Sequence, residues 1–398
     1  MLIQTHRFNI KYSPSDLTCI FFLSLIMLIN IYFIKPAYNW DLIPYVGVAL
    51  SFEKNENKSV SKDTFELIKK NVPPDVFENL IGSKIKSKNY RNEIYINPVY
   101  FDQQLPFYSI KPIYPLTMYG LSKIGINLID GSILISKFSY FLLGLLIWIW
   151  LRQTFNAFFS FIFTSLIVST PYVLNLASYS TPDALASFLV VLGLFFGFGL
   201  SSSRLSKCIF LVIILVRPDN FIFLVLNCIY SLFIIKSDRK FSASILIFAI
   251  IIYEANSVIS GSYGWQILFY HTFFDRLPNP TDATISIGIS DYLITIAKHS
   301  MPIIISNTSY NFLLHIFLLT LVGFLVWQED IKTNLNNKYF QLVFLGFAYI
   351  TFHWFLFPLE KERVLAGWYI VILILLTTTL GELKNKKIND RSKNSEQY

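Results

Sequence analysis

A chain of 398 residues that is 54% hydrophobic and only 15% charged, with a mean hydropathy of +0.51, does not have the composition of a soluble core, and its place is in a membrane. The net charge of +8 does not indicate a nucleic-acid binder, because no stripe of Lys and Arg interleaved with aromatics forms a module; it fits basic cytoplasmic loops beside anionic lipid. Cys19, Cys208 and Cys228 all fall inside apolar runs and read as small buried hydrophobes, which excludes a disulfide framework or a cysteine metal site.

Met1 to Asp16, with Arg7 and Lys11, forms a basic lead-in, and the first apolar run covers residues 17–34. As a helix this run reaches roughly 27 Å, close to the hydrocarbon thickness of a bilayer. It is too long for a signal-peptide core and ends without a small-residue cleavage pattern, so a retained span is expected. Immediately after it comes Lys35-Pro36-Ala37-Tyr38-Asn39-Trp40-Asp41. An acid just past a membrane exit is placed for chemistry, and Asp41 is the candidate general base. The alternative makes Trp40 an interfacial belt residue and Asp41 the cap of a helix starting near Pro44.

Residues 35–131 form a large external loop. Leu42–Leu50 reads as a short helix along the membrane surface, and Thr64–Lys70 and Asp75–Ile81 as amphipathic helices split by Pro73-Pro74. From Asn97 to Pro115, four prolines among many aromatics predict an irregular binding loop whose charges are Asp102 and Lys111. Spans two to four occupy 132–200: Ser132–Leu151, Ala157–Leu176 and Ala184–Leu200. Between the last two sits Thr181-Pro182-Asp183, with Pro182 at a first helical position and Asp183 in the first turn. Capping accounts for Asp183; a place in the site on the same face as Asp41 is the second reading.

The apolar run 208–235 is broken by Arg217-Pro218-Asp219-Asn220. A single span would put Lys236, Arg239, Lys240 and the basic C-terminal tail outside, against the positive-inside rule. A re-entrant hairpin keeps them inside, with its tip buried in protein and Arg217 needing an acid or phosphate, Asp219 being nearest. Span five covers 241–258 and a second external segment 259–310. In that segment Gly264–His271 reads as an interfacial helix, with His271 as a site or structural residue, and Asp291–His299 as another short helix. Spans six to eight fill 311–381, with Arg363 at the outer start of the last, and 382–398 is a polar cytoplasmic tail. The expected fold is therefore an all-α membrane protein of about eight transmembrane helices plus a hairpin, a single integral domain over 1–398 with both termini cytoplasmic. On this topology seventeen of the twenty-five acids lie outside. No glycine-rich phosphate loop, His-Glu-x-x-His or Gly-x-Ser-x-Gly is present, which argues against cytoplasmic nucleotide chemistry.

Trp40-Asp41 after the first span, the long first loop ending in Tyr108-Ser109-Ile110-Lys111-Pro112-Ile113-Tyr114-Pro115, Thr181-Pro182-Asp183 and the Arg217 hairpin together resemble the C-type (GT-C) integral-membrane glycosyltransferases, over roughly the first 240 residues. Serotype-converting O-antigen glucosyltransferases, also multi-span with a re-entrant segment, are a related resemblance. It implies a cell-envelope enzyme of a bacterial inner membrane, a polyprenyl-phosphate-linked sugar as donor, a glycan, lipid or protein as acceptor on the outer face, and Asp41 as base. A single acid stands where some members carry an adjacent pair, which leaves a divalent metal open; no other cofactor is implied. Arg363 is the preferred clamp for the departing phosphate, with Lys111 and His271 as alternatives, and Asp102 and Asp183 as further substrate contacts. For Arg363 the competing reading is a helix-end arginine reaching for the interface. A transporter or flippase of lipid-linked glycans is the rival function, marked by inverted repeats and paired broken helices; a nonenzymatic scaffold is the third.

Overall fold

The computed structural model describes residues 13–53, 59–82, 89–235, 238–283, 285–305, 310–328, 338–358 and 362–395, and within these the chain is helical without a strand. The first helix, α1 (Pro14–Phe33), begins at a proline, where the missing N–H is no loss, and the Ser13 N–H donates to Asp16 Oδ2 at 2.8 Å. Leu17, Phe21, Leu28, Tyr32 and Phe33 are exposed along it while Leu23 and Met27 are fully buried, as suits a helix with one face to protein and the rest to lipid.

A cap of short helices follows: α2 (Leu42–Ser51), α3 (Ser61–Asn71), α4 (Pro74–Ile81), α5 (Asn89–Ile96), α6 (Pro98–Asp102), α7 (Pro106–Ser109) and α8 (Ile113–Lys123). They close on their own hydrophobic core, in which Ile43, Tyr45, Phe65, Phe77, Phe101 and Tyr114 are buried. The irregular loop expected over 97–115 is not what forms. Pro98 and Pro106 occupy first helical positions and Pro112 the cap of α8, so the prolines start helical turns instead of preventing them.

The bundle consists of α9 (Leu128–Leu151), α10 (Ala157–Val168), α11 (Pro171–Leu174), α12 (Asp183–Leu194), α13 (Ser203–Val216), α14 (Phe221–Tyr230), α15 (Arg239–Ile259), α18 (Tyr310–Gln328), α19 (Lys338–Leu356) and α20 (Ala366–Ser395), with α16 (Gly264–Phe273) and α17 (Ile289–Ile305) between α15 and α18. Among the described residues five helices are long and apolar enough to cross a membrane: Pro14–Phe33, Leu128–Leu151, Arg239–Ile259, Lys338–Leu356 and Ala366–Leu383. The expected third span is not one straight helix. It breaks before Pro171, and the two pieces, Ala157–Val168 and Pro171–Ser178, are bent by 71°. Pro171 supplies no N–H to the ladder and holds Thr170 extended (ψ 139°). The segment expected as span four holds a shorter apolar helix, Asp183–Gly199, and in the segment expected as span six the apolar helix is described in its side chains over Leu314–Leu325. Through α20 the backbone stays helical as far as Ser395, well into the polar tail.

The 208–235 run folds as two helices about a break at Arg217. Phe210 of α13 and Phe223 of α14 lie against each other with ring centroids 4.5 Å apart and planes tilted by 42°, so the pair doubles back as a hairpin. Of the three cysteines expected to be buried, Cys228 is, Cys19 is partly covered and Cys208 is exposed, because its position on α13 faces away from the bundle. Two glycines permit the close helix crossings that set the site. A Cβ on Gly144 of α9 would stand 2.1 Å from Met27 Sδ, and one on Gly367 of α20 would stand 3.1 Å from the Ser187 Cα of α12. The second crossing carries the start of α20, and with it Arg363, to the start of α12.

Candidate functional site

The segment leaving α1 runs beside the segment leading into α12. The Ala37 N–H donates to the Ser178 carbonyl at 2.8 Å, and the Ser136 hydroxyl of α9 holds the Tyr179 carbonyl at 2.6 Å. This pins residues 35–41 over residues 178–183 and sets Asp41 and Asp183 at one place, where the cap meets the bundle.

Asp41 occupies the N-cap position of α2, yet its carboxylate makes no capping hydrogen bond, so the capping reading fails. Asn39 Oδ1 accepts from the Asp41 N–H at 3.0 Å instead. The Asp41 carboxylate turns inward: Oδ1 accepts from the Tyr108 hydroxyl at 3.1 Å and Oδ2 pairs with Arg363. Nor is Trp40 a belt residue. It is buried against Tyr90, with the Arg91 guanidinium 5.4 Å from its ring centre. Arg363 does not reach for the interface; its side chain is 15% exposed and bridges two acids, Asp41 and Asp183, the latter at 3.4 Å from Nε.

Asp183 is the first residue of α12, one position after where the sequence places the helix start, and it is 3% exposed. Its carboxylate accepts from the Thr181 hydroxyl at 2.5 Å and pairs with Arg217 as well as Arg363. Arg217 also holds Asp219 at 3.1 Å, the partner expected from sequence, and His353 Nε2 of α19 lies 3.5 Å from the other Asp219 oxygen. The result is a continuous chain of contacts, Asp41, Arg363, Asp183, Arg217, Asp219 and His353. A charge withdrawn from water must be paired, and here each arginine is shared by two carboxylates.

Lys111 completes the balance, since three carboxylates face Arg217, Arg363 and this ammonium. It lies over two phenol rings, 5.8 Å from Tyr45 and 5.6 Å from Tyr108. Burial and the nearby Arg217 push its pKa down to about 8, against the opposing pull of Asp41, Asp183 and Asp219. Arg363 is held protonated above its ordinary value although burial works against its charge, because Asp183 and Asp41 favour it. Burial and the Asp41 carboxylate push the Tyr108 phenol well above the usual range, so it stays a donor.

His271 stands apart from this chain, behind Trp40. It is buried, and its Nδ1 accepts from the Leu277 N–H at 3.1 Å, so the proton sits on Nε2, which faces the Tyr90 hydroxyl at 3.4 Å. Burial and the Arg276 charge push its pKa down to about 4. His271 thus links the turn at Leu277 to Tyr90. Asp102 ends α6, and the described ion pairs joining Asp41, Asp183 and Asp219 do not run through it.

Tyr108 and His353 escape the sequence reading. Tyr108 lies in the aromatic run quoted above but carries no formal charge to single it out. His353 had a usable signal, an ionisable residue near the end of a membrane span. Among the described residues no group of three His, Cys, Asp or Glu side chains is arranged to hold a metal ion. The arrangement offers an oriented carboxylate, a phenol that holds it, and cations beside it. No family model, curated protein or solved structure matches the chain.

Proposed function

We propose that this protein is an integral-membrane glycosyltransferase of the GT-C kind, with eight spans and a re-entrant hairpin, which moves a sugar from a polyprenyl phosphate to a glycan, lipid or protein acceptor on the outer face of the membrane. The observation that carries the reading is the Asp41 carboxylate, which is committed to no helix cap and is aimed by Tyr108 and Arg363 where the cap meets the bundle. Asp41 takes the proton of the acceptor hydroxyl as that oxygen bonds to the anomeric carbon and the bond from that carbon to the phosphate oxygen breaks. A phosphate leaves as a stable anion and needs no general acid, so one base and a cationic clamp suffice. Arg363 uses two donors on Asp41 and Asp183 and has others for phosphate oxygens. Lys111, which rests on phenol rings, is the more available cation.

A second reading has one observation in its favour. The α10–α11 bend adds a second broken helix to the α13–α14 hairpin, and paired broken helices mark transporters. Incubating the purified protein in lipid with polyprenyl-phosphate sugars, followed by mass detection of products, separates the two. Transfer adds a sugar mass to an acceptor; a transporter moves the lipid across the bilayer and leaves both masses unchanged.

A further inference from the structure

The helix that carries Tyr108 is a single turn. α7 has 4 residues, too few to hold a shape of their own, so the direction of the Tyr108 hydroxyl is set by whatever grips the turn. On one side the grip is α2, whose Tyr45 ring meets the Tyr108 ring edge-on with centroids 5.0 Å apart. On the other side it comes from the second external segment, where Ser260 lies 151 residues from Ser109 in the chain.

α15 ends in a Schellman turn. The Gly261 N–H donates to the Val258 carbonyl at 3.1 Å and the Ser262 N–H to the Ser257 carbonyl at 3.0 Å, with Gly261 in the left-handed region (φ 62°) that a side chain disfavours. The turn lays the end of α15 and the start of α16 along residues 103–110. Asn256 donates to the Ile110 carbonyl at 2.7 Å, at the end where a helix leaves its carbonyls unpaired. The Ser109 hydroxyl donates to the Ser260 carbonyl at 3.0 Å, and the Tyr263 hydroxyl donates to the Gln103 carbonyl at 3.0 Å. The Phe107 ring lies 5.2 Å from that of Tyr263 and 5.0 Å from that of His271. Gln104 closes the row by donating to the carbonyls of Leu277 at 3.1 Å and Pro278 at 2.9 Å. Residues 103, 104, 107, 109 and 110 are thus all held by residues 256–278, and Tyr108 stands among them with its hydroxyl on Asp41.

We propose that Asn256 and Tyr263 are positioning residues for the Asp41 base and act through Tyr108. By clasping α7 at both ends, the second external segment holds the phenol where it aims the carboxylate. Arg363 takes one oxygen of Asp41 and Tyr108 the other, so with the phenol displaced the carboxylate turns about its remaining bond to Arg363. The role as base rests on the transfer reading above, whereas the clasp stands on the contacts alone. A base moved off its line to the acceptor hydroxyl loses rate at the chemical step and leaves donor binding as it was.

The test reads the bond from Tyr108 to Asp41 and the turnover separately. Full-length protein in lipid nanodiscs carries 3-fluorotyrosine at position 108, and Asp41→Ala marks the fluorine NMR shift of the phenol without its acceptor. Tyr263→Phe keeps the ring against Phe107 and deletes the hydroxyl alone; Asn256→Ala deletes the clasp at the other end. Each should move the fluorine signal toward the Asp41→Ala position and lower kcat about tenfold, with KM for the donor within about twofold of wild type. In a Tyr108→Phe background neither should lower kcat by more than about a further twofold. Ser109→Ala, made on the α7 side of the clasp, should give the same shift and the same loss, and it decides the matter where another variant does not fold. A signal unmoved by the substitutions, or kcat losses that multiply in the Tyr108→Phe background, overturns the proposal. A wild-type protein that transfers no sugar while the signal moves refutes the glycosyltransferase reading alone, and one that transfers sugar with an unmoved signal refutes the positioning role alone.

Discussion

Asp183 is nearly sealed from solvent and takes three donors at once, the Thr181 hydroxyl, Arg217 and Arg363. Asp183→Asn keeps the volume and leaves two buried guanidinium groups facing a neutral amide. Removing one partner of a buried ion pair costs about 3–5 kcal/mol. The lower end applies here, because Arg217 keeps Asp219 and Arg363 keeps Asp41. For a chain of this length that is a fall of about 3–5 °C in the unfolding midpoint, measured by tryptophan fluorescence in lipid nanodiscs. A second substitution, Arg217→Met, removes one of the two cations that have lost Asp183. The double variant should therefore be more stable than the sum of the two single losses predicts, by at least about 1 kcal/mol. A loss under about 1 kcal/mol for Asp183→Asn, together with strict additivity in the double variant, would refute the shared-arginine account.

Three further outcomes are expected. Lys111 is protonated below about pH 8 and neutral above it, so transfer should fall as pH rises through about 8, and Lys111→Arg should carry that alkaline limb upward; an unmoved limb means Lys111 is not the titrating cation. The His271 pKa is depressed, so the stability its link contributes is complete above the ordinary value of about 6.5 and is lost as pH falls toward 4; exchange of the Leu277 amide, corrected for its intrinsic rate, should accelerate across that window, and flat protection would show that the ring does not hold the turn. Cysteines introduced at Ser237, which lies outside the described residues, and at Ser286 should label from opposite sides of the membrane; same-side labelling contradicts the eight-span topology.

Much of the site was legible because membranes make charges conspicuous. Asp41, Asp183, Arg217, Asp219 and Arg363 each stand at the edge of an apolar run, and the fold gathers all five. What pattern could not supply was which acid meets which base. Asp219 is two residues from Arg217 and was the natural partner, whereas Asp183 reaches Arg217 because the start of α12 lies beside the end of α13. Tyr108 was hidden among other aromatics, since its role comes from a single hydrogen bond. The prolines of 98–115 start helical turns, against the expected irregular loop, for a local reason. At a first helical position a proline costs nothing, and only the spacing of the turns shows that this is where Pro98 and Pro106 sit. Pro171 was the converse, an interior proline in an apolar run that did break the helix.

Asp41→Asn tests the central claim most directly. Asparagine fits the same place and retains an oxygen for the Tyr108 hydroxyl, but it cannot take a proton. The variant should insert normally, bind the donor lipid, and transfer sugar about a hundred- to ten-thousand-fold more slowly than wild type in the mass-detected assay. Transfer within about threefold of wild type, per folded molecule, would contradict Asp41 as the base.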